Sequence, residues 1–105
     1  MLQADKRVEA SKMLLQKGKL DLSQSTFSKA ENYFEDAINS TTDAKTQGMN
    51  TLEIAGKMTE ANLKHKQVLK DMIKKMKPAD AKKFSREADR LLEFEKKVKY
   101  LAPKQ

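Results

Sequence analysis

Turn-forming residues are scarce in this chain: three glycines and two prolines in 105 residues. A β-sandwich or barrel needs a turn signal roughly every 8–12 positions. An all-β fold is therefore excluded, and the chain has to be built from long helices with few breaks. The stretch from Ala44 to Lys77 contains no proline at all. As one helix it would run about 50 Å at 1.5 Å per residue. No cysteine is present, which removes a disulfide framework, a zinc knuckle and a thiol nucleophile together.

Apolar spacing places the elements. Ala4, Val8, Ser11, Leu15, Gly18 and Leu22 recur by three and four, which predicts a first helix over 3–22, with Leu14 widening its stripe. Ser23-Gln24-Ser25-Thr26 suits a turn and an N-cap, because these side chains bond nearby backbone. A second helix follows over 26–40, with Phe27, Ala30, Phe34, Ala37, Ile38 and Thr41 on one face. Ser40-Thr41-Thr42-Asp43 supplies the next break. A third helix is expected over 44–77, continuous through Gly56. It carries two apolar lines: Ile54, Met58, Ala61, His65, Val68 and Met72 on one, and Leu52, Ala55, Leu69, Ile73 and Met76 on the other. Such a helix packs between two neighbours or leaves one line exposed for self-association as a homodimer. Pro78 ends it. The last helix covers 79–101, with a seam of Ala81, Phe84, Ala88, Leu91, Glu95, Val98 and Ala102 flanked by Leu92, Phe94 and Leu101. Short links between long helices force antiparallel neighbours. The expectation is one all-α domain of four helices: a short αα-hairpin over 3–42, then a longer basic antiparallel hairpin over 44–102.

The segment Leu14-Leu15-x-x-Gly18, Phe27-Ser28-Lys29-Ala30 and Tyr33-Phe34-x-x-Ala37-Ile38 resembles a tetratricopeptide repeat across residues 11–44. The resemblance implies that Gly18 in one helix faces Ala30 in the next, so that two backbones approach closely. It further implies a protein-binding scaffold or adaptor. The same residues are similar to a microtubule-interacting-and-trafficking domain, a three-helix module whose grooves bind amphipathic helices. Leu52, Ile54, Ala55 and Met58 would stand in its third helix.

Catalytic constellations are missing from the sequence. The single histidine, His65, falls in the polar middle of the third helix, where Glu60 and Asp71 are not spaced to share a metal or a proton with it. It reads as a solvated surface side chain. No glycine-rich phosphate loop or nucleophile elbow is present. The chain is therefore read as a non-enzyme, without cofactor or metal. No apolar run approaches the ~18 residues of a membrane span, and no signal-peptide core follows Met1. A cytoplasmic protein fits, and so does an exported one whose signal has been removed.

The charge is unevenly distributed. The net charge of +7 divides into −1 over residues 1–56 and +8 over 57–105. Lys64, Lys66, Lys70, Lys74, Lys75, Lys77, Lys82 and Lys83 are opposed within their segment only by Asp71 and Asp80. An antiparallel last hairpin makes these lysines a basic tip projecting away from the first hairpin.

Two functional readings follow. In the first, the chain is a protein–protein interaction module that takes a helical or extended segment, with Leu14, Leu15, Phe27, Tyr33 and Met58 as packing or groove residues. Tyr33 is the exposed contact among them. In the second, the eight lysines bind polyanions, nucleic acid or an anionic membrane surface, without sequence specificity. The absence of arginine from the patch weighs against base readout.

Overall fold

The computed structural model describes residues 2–102, and every regular element in it is helical. The elements are α1 (Leu2–Gln16), α2 (Leu20–Thr46), α3 (Leu52–Lys74), the single-turn α4 (Pro78–Ala81) with a 3-10 turn (Lys82–Phe84), and α5 (Ser85–Leu101). Four of them are long, as the sequence predicts, and they form a bundle of 46 × 22 × 17 Å. Around the bundle α1 neighbours α2, α2 neighbours α5, α5 neighbours α3, and α3 neighbours α1. Asp5 meets His65, and Leu15 and Gln16 share a cleft with Met72 and Lys75, so α1 and α3 run parallel. Gln24 meets Glu87 and Lys45 meets Tyr100, so α2 and α5 also run parallel. Two antiparallel hairpins are thus laid side by side in the same sense. The α2–α3 link at 47–51 crosses the end of the bundle diagonally.

The breaks fall at glycines, not at the Ser/Thr clusters. Gly18 has φ +77 and Gly48 has φ +89. Around Gly18, the Lys19 N–H donates to Leu14 O (2.9 Å) and the Gly18 N–H to Leu15 O (2.9 Å); Met49 to Ala44 O (3.0 Å) and Gly48 to Lys45 O (2.9 Å) repeat the pattern. Both are Schellman caps, which require a left-handed residue just past the helix and so favour glycine. The hydroxyls expected to break helices instead fold back inside α2. Thr41, Thr42 and Thr46 donate to the carbonyls of Ala37, Ile38 and Thr42 at 2.8, 2.8 and 3.0 Å. That local bonding lets them sit in a helix.

Several expected boundaries are corrected as a result. The first helix stops at Gln16, α2 extends to 27 residues and becomes the longest element, and α3 starts at Leu52. The first hairpin, 2–46, stays the shorter of the two, the second running over 52–101. Gly18, exposed in the turn, does not face Ala30. Pro78 ends α3 as predicted, with Lys77 extended before it (φ −67, ψ 150). Gly56 lies inside an unbroken α3.

Close approach of α1 and α2 occurs at a different pair. Ser11 and Ser23 are fully buried and clasp one another: Ser11 Oγ donates to Ser23 O (2.6 Å) and Ser23 Oγ to Ser11 O (2.7 Å). Small side chains bring the backbones together, and each hydroxyl satisfies the other helix's carbonyl. Ser23→Leu is expected to cost about 1–3 kcal/mol by overpacking. Ser23→Ala is expected to cost about 1 kcal/mol, one hydrogen bond. Urea denaturation reads both. A neutral Ser23→Leu would place residue 23 in a solvated turn after all.

The core runs along the bundle through Val8, Phe27, Phe34, Ile38, Met58, Leu69, Leu91 and Phe94. α3 packs between α1 and α5, which takes up most of both apolar lines, while Leu52 (54% exposed) and Ile54 (37%) at its N-terminal end stay at the surface. Along the 3-10 turn and α5 the buried line is Phe84, Glu87, Leu91, Phe94, Val98 and Leu101. Ala88 and Glu95, expected in the seam, sit beside it, half-buried.

Candidate functional site

An open apolar hollow lies between α3 and α5. Its floor is Leu69 and Leu91, both almost fully buried, with Ile73 and Ala88 beside them. The short side chain of Ala88 leaves the two helices a hollow of about 430 Å³. Leu63 and Leu92 form its walls and stay 57% and 50% exposed. They fall just outside the buried lines of their helices, so neither can turn inward. Lys66, Gln67 and Lys70 rim the α3 side. Lys66 reaches across to Glu95 at 3.1 Å, and this contact holds the Glu95 carboxyl below the usual carboxylate range. On the other side of that bridge lies a separate, smaller hollow of about 90 Å³ between Thr59, Asn62 and Leu63 of α3 and Glu95, Val98 and Lys99 of α5. No sequence pattern marked this groove, because it exists only where α3 and α5 face one another.

A second hollow, of about 380 Å³, lies where α1 meets α2, lined by Arg7, Lys29, Asn32, Tyr33 and Asp36. The Arg7 guanidinium stacks 5.1 Å above the Tyr33 ring.

Three titratable groups, His65, Glu31 and Glu87, are buried away from both grooves. His65 is 2% exposed, with its ring edge-on to Phe34 at 5.6 Å. Its Nε2–H donates to Asp5 Oδ1 at 2.6 Å. Burial outweighs the Asp5 carboxylate and keeps the imidazole below its ordinary value of 6.5. The expectation of a solvated histidine is corrected: its partner came from α1, sixty residues away in sequence, and neighbours on its own helix gave no sign of it. Glu31 is 2% exposed in the α2–α5 interface. Burial, with the charge of buried Glu87 nearby, pushes it up to about 9 against the pull of Arg90. Arg90 lies 3.7 Å from Glu31 and 3.5 Å from Glu35, and donates to Asn32 Oδ1 at 2.8 Å. Neither Glu31 oxygen has a hydrogen-bond partner among the described residues.

The five residues proposed for protein contact do not converge. Phe27 and Met58 are fully buried and belong to the core. Leu14 and Leu15 are half-buried on α1, and Leu15 faces Val68 and Met72 of α3. Tyr33, 42% exposed, lines the α1–α2 hollow on another face. Of the eight lysines, Lys64, Lys70, Lys74, Lys75, Lys77, Lys82 and Lys83 are exposed, while Lys66 is half-buried. Their end of the bundle does not project. Lys83 pairs with Asp21 at 3.6 Å and Lys75 lines a cleft with Gln16, which sets the lysine tip flush with the α1–α2 turn. That turn adds exposed Lys17 and Lys19.

Among the described residues no group of three or more His, Cys, Asp or Glu is placed to hold a metal ion, and no helix is long and apolar enough to cross a membrane. Compared with known proteins, the chain matches no family model, no curated protein and no solved structure.

Proposed function

We propose that this chain is a non-enzymatic helical protein–protein interaction module, a scaffold or adaptor that takes a partner segment between helices. The observation that carries the reading is the α3–α5 groove, with its aliphatic floor and the half-exposed Leu63 and Leu92 side by side on its rim. Contiguous apolar surface of this kind marks partner sites on small soluble domains. The same-sense stacking of two hairpins, the arrangement of helix-pair repeats, supports the tetratricopeptide-like reading, although its close contact uses Ser11 and Ser23. The site residues are revised accordingly: Leu63, Leu92 and Ile73 replace the buried Phe27 and Met58.

Leu63→Asp and Leu92→Asp change exposed positions and are expected to move the unfolding midpoint little. Captures from the native host with wild type and with each variant are to be compared. One or a few proteins retained by wild type and lost by both variants is the expected result; identical sets would sink the reading. Self-association is the other use of the same leucines, and sedimentation above the 12.0 kDa monomer, abolished by Leu92→Asp, would reveal it.

The joining of Lys17 and Lys19 to the lysines of α3 and the 3-10 turn favours a second reading, a polyanion-binding end. Its binding to DNA or anionic vesicles would weaken steeply with salt, because released counterions drive it. Affinity flat between low and physiological salt excludes it.

A further inference from the structure

We propose that the occupant of the α3–α5 groove is an acidic amphipathic helix of about four turns. The proposal rests on the interaction-module reading and adds the chemistry of the partner.

Length comes first. The two hollows, which share Leu63 and lie on either side of the Lys66–Glu95 bridge, together extend along α3 from Thr59 to Ile73. At 1.5 Å per residue that is about 21 Å, the length of a helix of about 14 residues. Shape comes next. The floor is aliphatic, with Leu69, Leu91 and Val98 deep and Leu63 and Leu92 standing up at the sides. A helix lays an i, i+3, i+4, i+7 stripe into such a trough. No aromatic lines it, so it offers no stacking platform for bases.

Charge then selects among helices. Lys66 and Glu95 neutralise one another across the groove, which leaves Lys70 and Lys99 as the charges lining the hollows. Lys74 follows Lys70 one turn further along the exposed surface of α3. A partner with Asp or Glu flanking its apolar stripe meets these ammonium groups, and a basic partner is repelled. A second copy of this chain fits poorly, because a twofold interface sets the same patch against itself.

The test uses the full chain and a displayed library of helical peptides about 16 residues long. Leucines are fixed on one stripe and all other positions are randomised. Selected peptides are then measured by fluorescence anisotropy against wild type, Leu92→Asp and Lys70→Glu. The expected result is enrichment of Asp and Glu beside the stripe, with affinity falling at least about tenfold in each variant. The Leu92→Asp effect must come without a change in unfolding midpoint; Lys70→Glu, on an exposed side chain, is independent of folding. Binders lost in Leu92→Asp but carrying neutral or basic flanks, and indifferent to Lys70→Glu, overturn the acidic partner and leave the interaction reading standing. An absence of binders, or binders indifferent to Leu92→Asp, overturns both.

Discussion

Phe34→Ala is expected to remove about 3–5 kcal/mol of stability, the range for emptying a buried phenylalanine site. Phe34 is 1% exposed on α2 and touches two other helices at once. Its ring meets Phe94 of α5 at 5.4 Å and His65 of α3 at 5.6 Å, and His65 in turn is tied to Asp5 of α1. The side chain therefore sits where all four long helices are linked. Aromatic pairs of this geometry add about 0.5–1.5 kcal/mol beyond the area they bury. Domains of this size hold only about 5–15 kcal/mol in total, so the variant is expected to unfold at far lower urea. Urea titration followed by circular dichroism measures it, with the slope showing whether unfolding stays two-state. A loss below about 1 kcal/mol would mean that Phe34 does not join the four helices.

The second large effect concerns pH. Folded Glu31 titrates at about 9, against 4.5 for the free side chain. Between these values the folded protein keeps a proton that the unfolded chain has released, so stability falls as pH rises through the window. His65 acts in the opposite direction and in a different range. Its imidazole is held below 6.5, so its contribution is complete above that pH and is lost as pH falls toward the folded value. From pH 7 to 9 the His65 contribution is constant and Glu31 dominates. Each pH unit is worth up to about 1.4 kcal/mol, so the wild type is expected to lose about 2–3 kcal/mol across that span. Arg90, already paired to Glu31, pulls the loss down, while Glu87 adds to it. Glu31→Gln keeps the shape and removes the titration, so its stability should stay level from pH 7 to 9 and exceed wild type at pH 9. Parallel curves for the two proteins would assign the pH dependence elsewhere.

The same interface shows what a sequence pattern conveys and what it omits. Phe27, Ala30, Phe34 and Ile38 were legible as one face of α2, and they are buried there. Glu31 lies off that stripe, yet it is buried because the second hairpin covers it. Periodicity locates a stripe, but its width depends on how many neighbours the helix has. α2 has α1 on one side and α5 on the other, and the second neighbour buries a position next to the stripe.

The chain by itself determined its class and its helical faces. With few glycines and prolines and a period near 3.6, no sheet was available to it, and Pro78 had to end a helix. The glycine caps at Gly18 and Gly48 were also written locally, and weighing the left-handed cap above clustered hydroxyls would have placed both breaks. Tertiary structure decided the rest. Asp5 found His65, Arg90 found Glu31, and Leu63 came to stand beside Leu92 because two hairpins stacked in the same sense. Local spacing is a property of one helix. A buried polar contact or an open groove is a property of two, and which two meet is set by how the hairpins pack.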